Sequence, residues 1–189
     1  MVTINSTIIS GAGAIPALRP LLGDKQRLLL VTDRNIARLE AAKQIEAILE
    51  ENHRSVTIVD GGPPEPSHHD VSQLLSGLTG GSFDLVIGLG GGSVLDVAKL
   101  LSVLCHPHSP GLEALLAGTK PAVRIPSLLI PATAGTGSEA TPNAILAIPE
   151  QNTKVGIISP VLLPDYVALF PELTTSMPAH IASSTGIDA

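Results

Sequence analysis

The chain has 189 residues, 44% apolar and 15% charged, with a mean hydropathy of +0.36, which excludes disorder. Eleven Lys and Arg against 17 Asp and Glu leave a formal charge of −6 with no cationic block, so nucleic acid is not an expected partner. The single Cys105 allows no internal disulfide and suits a reducing compartment, and no run approaches the ~18 apolar residues that cross a bilayer, so the expectation is a cytoplasmic protein without a membrane partner.

Two Phe, one Tyr and no Trp leave the core to Leu, Ile, Val and Ala. Arg27-Leu-Leu-Leu-Val-Thr-Asp33 is a continuous apolar run, the pattern of a strand covered on both faces. Residues 39–49 place Leu39, Ala42, Ile45 and Leu49 on one side and Glu40, Lys43, Glu46 and Glu50 on the other, which predicts an amphipathic helix. Ser55 to Asp60 is a second strand closed by Gly61-Gly62-Pro63-Pro64, and Ser67 to Leu78 is a weaker helix. Phe83 to Gly88 is a third strand running into Leu89-Gly90-Gly91-Gly92-Ser93, followed by an apolar helix over 94–105. Strands alternating with helices at these lengths predict βαβ units in an open, mainly parallel sheet.

Further on, Pro126 to Pro131 is a fourth apolar strand leading into Ala132-Thr-Ala-Gly-Thr-Gly-Ser-Glu139. Residues 144–148 and 155–158 are strands on either side of the polar turn 150–153. Pro160, Pro164, Pro171 and Pro178 rule out one continuous helix in the last thirty residues. Thr185 to Ala189 carries no closing element.

The informative residues sit where strands end, since ligands of open α/β sheets bind outside the carboxyl ends of the strands. Consecutive glycines let a backbone approach a phosphate, and the helix that follows offers unpaired N–H groups and its positive dipole end. Gly90-Gly91-Gly92-Ser93 meets these requirements. The dinucleotide fingerprint is incomplete: Gly88-x-Gly90-x-x-Ser93 lacks the last glycine, and only Glu113 loosely matches the expected later acid. Asp33 either caps a turn or accepts from the adenosine ribose hydroxyls; the second role favours NAD over NADP, whose 2′-phosphate would meet a negative charge. Ser93 and Asp96 have the spacing of a helix capping box, which leaves a ligand role for Ser93 open. The loop 132–139 is either a tight connection or a hydroxyl-bearing wall beside a cofactor. His68-His69 and His106-x-His108 lie in polar or Pro-flanked stretches and are expected at the surface.

Three segments together, Gly90 to Lys99, Ile130 to Glu139 and Thr185 to Ala189, resemble in order and separation the successive signatures of the iron-containing alcohol dehydrogenases. The resemblance implies an N-terminal Rossmann-like α/β domain binding NAD or, less favoured, NADP, and a C-terminal all-helical metal domain. This chain resembles the first half: residues 1–181 as the nucleotide-binding domain and 182–189 as the first residues of a truncated metal domain. It further implies a pyrophosphate site at Gly91, Gly92 and Ser93 with Gly90, Val94 and Asp96 beside it. A ribose contact at Asp33, a cofactor wall at Thr133, Ala134, Thr136 and Ser138, and lining positions at Ile145 and Lys154 follow from the same likeness. Asp188 matches a ligand of the divalent metal, Fe2+ or Zn2+ in the intact enzyme. The implied reaction is hydride transfer between the nicotinamide and a small alcohol or aldehyde, with this chain inactive alone. The segment Thr7 to Gly11 resembles a family strand that pairs across a homodimer, though a simple edge strand fits equally.

The sequence departs from the family pattern at Ala132, where a second threonine is common, at Glu65-Pro66 in place of Asn-Pro, and at Phe170-Pro171 in place of Asp-Pro. The matching metal-binding histidines fall outside this sequence, and one carboxylate does not hold a first-row ion. The alternatives are a non-catalytic nucleotide-binding or interaction module, or a relative of the polyol dehydrogenases and dehydroquinate synthases. The Thr133-Ala-Gly-Thr-Gly-Ser-Glu139 loop favours the alcohol dehydrogenase branch.

Overall fold

The computed structural model describes residues 6–175 and 177–188, with the side chains of His180 and Asp188 outside that description. In chain order its elements are β1 (Thr7–Ser10), α1 (Leu18–Leu22), β2 (Arg27–Thr32), α2 (Glu40–Glu50), β3 (Ser55–Asp60), α3 (His68–Gly77), β4 (Leu85–Gly90) and α4 (Gly92–Leu104). They continue with α5 (Leu112–Leu116), β5 (Ser127–Pro131), β6 (Asn143–Ile148), β7 (Thr153–Ile158), β8 (Tyr166–Leu169) and α6 (Ala179–Asp188). Six strands make one parallel sheet in the order β1-β8-β5-β4-β2-β3, and β6 and β7 pair antiparallel as a separate hairpin.

The continuous apolar runs exist because the central strands are covered on both faces. Leu28, Leu30, Leu85, Ile87, Leu89, Leu128 and Ile130 turn to one face and pack with Leu18 and Leu22 of α1 and Ala42, Ile45 and Leu49 of α2. Their strand neighbours Leu29, Val31, Val86 and Leu129 turn to the other face, against α3, α4 and α5. Each fully buried Leu, Ile or Val contributes about 1.5–3 kcal/mol, so this two-sided layer dominates stability. Gly88 lets α4 lie directly on β4: a Cβ there would stand 2.8 Å from the Ala98 Cβ.

The short elements escaped the sequence patterns. Helices α1 and α5 have five residues each, too few for a 3.6-residue period to show. Strand β8 has four residues set between prolines. Residues 185–188, expected to lack a closing element, are the end of α6, which starts after Pro178. The prolines otherwise act as expected, Pro160 and Pro171 opening short 3-10 turns. Strand β1 is a sheet edge beside β8, with Ile8 58% exposed. Among the described residues no helix is long and apolar enough to cross a membrane.

Candidate functional site

The chain passes from β2 outward to β3, then returns across β2 to β4 and β5, so strand order reverses between β2 and β4. A crevice is expected outside the carboxyl ends at such a switch point. A groove of about 1300 Å³ lies there. Asp33 follows β2, Gly62 to Pro66 follow β3, Gly91 to Val94 follow β4, and Ala132, Thr133, Thr136 and Ser138 follow β5. Ile145 and Lys154 of the hairpin and Ile181, Ser184 and Thr185 of α6 complete the walls.

The glycine rim is built from close approaches. Gly90 is buried, and a Cβ on it would meet Val94 Cβ at 2.8 Å, so its role is to let the first turn of α4 settle on the sheet. Gly91 is the N-cap, and the first helical bond runs from Leu95 N–H to Gly91 C=O at 3.1 Å. The amides of Gly92, Ser93 and Val94 therefore precede the helical ladder and stand at its positive end. Facing them is the loop after β5: a Cβ on Gly92 would lie 2.9 Å from Thr136 Oγ1, whereas one on Gly91 would lie 3.6 Å from Thr133 Cγ2. The rim is a slot one glycine wide. Ser93 Oγ donates to the Pro64 carbonyl, tying the slot to the loop after β3.

Ser93 and Asp96 do not form a capping box, because α4 starts one residue before Ser93. That motif occurs instead at Ser67 and Asp70, which cap α3 reciprocally. The Asp96 carboxylate reaches the other way. It accepts from Ser138 Oγ and from the Ile145 amide at 3.1 Å, and pairs with Lys99 Nζ at 2.9 Å. Lys99 is fully buried and donates to the Ser138 carbonyl at 2.8 Å, to Ser138 Oγ at 3.1 Å and to the Asn143 carbonyl. Burial draws the Lys99 ammonium below its ordinary range, and the Asp96 charge opposes that shift. This pair fastens α4 to the loop 136–141 and to β6, two walls of the groove. Sequence reasoning passed over Lys99; a lone cation at a core-facing position of an apolar helix was the available signal.

Asp33 lines the groove and caps a turn at once, its Oδ1 accepting from the amides of Asn35 at 2.8 Å and Ile36 at 3.0 Å. Lys154 pairs with Glu65 at 2.8 Å, both well exposed, a contact the sequence did not suggest. Ile145 is half-exposed, and Ser138 is buried with its hydroxyl committed to Asp96. Three positions fall off the groove wall: Gly90 lies beneath Val94, Ala134 is exposed on the loop, and Glu113 is exposed on α5. Gly135 has φ +152°, and a Cβ on it would lie 2.0 Å from the Thr185 carbonyl, so backbone contact brings α6 over the loop. Cys105 ends α4 away from this wall, and burial pushes its thiol up to about 11, which makes it a poor nucleophile.

Asp188 closes α6, and its side chain lies outside the described residues. Among the described residues, the group of His, Cys, Asp or Glu donors close enough to share an ion is His68, His69 and Glu150, none of which is on α6. The two histidines are the first residues of α3, and the His68 hydrogen bond foremost holds the Glu150 carboxyl down at about 2.

The family model described as iron-containing alcohol dehydrogenase matches residues 5–171. The chain is 37% identical over 185 residues to long-chain-alcohol dehydrogenase 1 of Geobacillus thermodenitrificans, covering 95% of this chain and 46% of that protein. It is 32% identical over 186 residues to sulfoacetaldehyde reductase of Bilophila wadsworthia, covering 96% and 48%. The crystal structure of an iron-containing alcohol dehydrogenase from Thermotoga maritima superposes with a TM-score of 0.88 at 33% identity, over 100% of this chain and 52% of that one. The chain thus spans about half the length of the curated relatives it matches.

Proposed function

The chain belongs to the iron-containing alcohol dehydrogenase family, and from that premise we propose that it forms the cofactor-binding side of an NAD-dependent oxidoreductase acting on a small alcohol or aldehyde. The domain is residues 1–181, and 182–189 begin a helical metal-binding domain. The observation that carries this reading is the first turn of α4, whose free amides open into the groove at the switch point.

In this reading the Gly91, Gly92, Ser93 and Val94 backbone holds the pyrophosphate, with Gly90 setting the approach of the helix. Donors fixed on a helix N-terminus need no reorganisation when a dianionic group arrives. Asp33 keeps Oδ1 on its turn, which leaves Oδ2 for the ribose hydroxyls and disfavours a 2′-phosphate. Thr133 and Thr136 present hydroxyls along the cofactor; Ala134 and Ser138 shape the loop, and Asp96 anchors it through Ser138. Ile145 and Lys154 flank the nicotinamide end, where the half-exposed Ile145 side chain excludes water from one face of the ring. The bound nicotinamide supplies the redox chemistry, giving or taking a hydride at C4, and the protein supplies orientation.

Asp188 is the position assigned to the family's iron or zinc. A single carboxylate does not hold such an ion. Lone Cys105 supports a cytoplasmic setting, and the exposed edge of β1 is the face assigned to a homodimer.

The test is an NADH fluorescence titration of the protein and of Gly92→Val. Saturable binding that weakens at least about tenfold, or ~1.4 kcal/mol, in the variant is expected, because the new side chain meets Thr136. No binding by the parent protein at millimolar NADH, or equal binding by Gly92→Val, overturns the proposal.

A further inference from the structure

Away from the glycine rim, α3 and the turn between β6 and β7 bring together three side chains that the cofactor site does not use. His68 Nε2 lies 3.1 Å from Glu150 Oε2, and His69 Nε2 hydrogen-bonds Oε1 of the same carboxylate. The two rings stand 3.9 Å apart between centroids. All three donor atoms fall within 4.8 Å of one another, with His68 half-buried and His69 and Glu150 exposed. The backbone fixes this meeting of elements: Ser67 and Asp70 cap α3, and the Ala147 amide donates to the Pro66 carbonyl at 3.0 Å.

Two imidazole Nε2 atoms, both on α3, and one carboxylate of the β6–β7 turn thus converge on one small volume. A dication suits that convergence: with each ring's proton on Nδ1, both Nε2 lone pairs and the carboxylate can point at a common centre. Two nitrogens and one oxygen are a donor set that zinc accepts, with a fourth position left for water. Tetrahedral angles and bonds of about 2.0–2.2 Å set ligand atoms roughly 3.3–3.6 Å apart, so small rotations of these side chains complete the site.

We propose that His68, His69 and Glu150 form a surface site for a divalent first-row cation, zinc in the first instance, that does not involve Asp188. The ion joins the start of α3 to the β6–β7 hairpin. Pro66, one residue before the α3 cap, and Lys154 of the hairpin both line the groove. Occupancy therefore clamps two groove walls and stabilises the fold.

The experiment uses untagged protein carrying Asp188→Asn, which removes the other candidate ligand, with ZnCl2 as the probe in calorimetric titration and thermal unfolding. One equivalent of zinc should bind and raise Tm by roughly 5–10 °C at a hundredfold excess over Kd. Adding His69→Ala or Glu150→Gln should weaken zinc binding by at least about tenfold, since even outer partners of a ligand cost that much. The metal-free Tm of each variant separates this loss from unfolding. Absence of a zinc-dependent Tm shift in the Asp188→Asn protein, or unchanged zinc affinity in either added variant, overturns the site.

Discussion

Replacing Lys99 by Met keeps most of the side-chain volume and removes the charge from a fully buried position. Asp96 then loses its cation at 2.9 Å, and the Ser138 and Asn143 carbonyls lose their shared donor. Removing one partner of a buried pair typically costs 3–5 kcal/mol, so roughly that loss is expected here. For a domain of this size roughly 2–4 °C accompanies each kcal/mol, which gives a Tm lower by about 6–20 °C. Because the pair pins the 136–141 loop, NADH affinity should also fall. Adding Asp96→Asn removes the orphaned charge and should recover part of the lost stability. Urea and thermal melts followed by circular dichroism measure all three proteins. A Lys99→Met loss below about 1 kcal/mol, the size of an exposed pair, would refute the reasoning, as would a double variant as unstable as the summed single ones.

Asp33→Ser keeps a turn-capping oxygen but removes the charge beside the ribose position. The NADPH to NADH dissociation-constant ratio should move at least about fivefold toward NADPH, the effect of relieving ~1 kcal/mol or more of repulsion, and an unmoved ratio counts against the ribose role. Arg27 beside Asp84 lowers that carboxyl from 3.8 to about 2, with further support from the Arg27 and Gln26 amides. A carboxyl depressed on folding stabilises above its unfolded value and loses that contribution as pH falls. The protein should therefore lose stability between about pH 4 and pH 2, and Asp84→Asn should flatten that part of the acid limb in pH-dependent melts. An acid limb identical in the two proteins would show that other carboxylates dominate.

The long elements were legible because their burial writes a period into the chain. Strand β2 reads as an apolar run since sheet and helices cover both its faces, and α2 reads as amphipathic since one face meets solvent. The glycine rim was equally plain, because close backbone approach at a strand end excludes side chains locally. Helices α1 and α5 and strand β8 are shorter than the periods that would reveal them. The Asp96–Lys99 pair spans one helical turn and resembles a surface i,i+3 pair; only the fold buries it. Its further partners, Ser138 and Asn143, lie about forty residues along the chain.

The sequence by itself determined the alternation of strands and helices, the apolar two-sided core and the position of the glycine slot, all consequences of local pattern and backbone sterics. The tertiary structure alone decided that Asp96 fastens a distant loop rather than capping its own helix, that Asp33 both caps and lines, and that two histidines of one helix meet a glutamate of another element. Such contacts depend on which chain segments the sheet order brings together, and residue order along one segment carries no record of that.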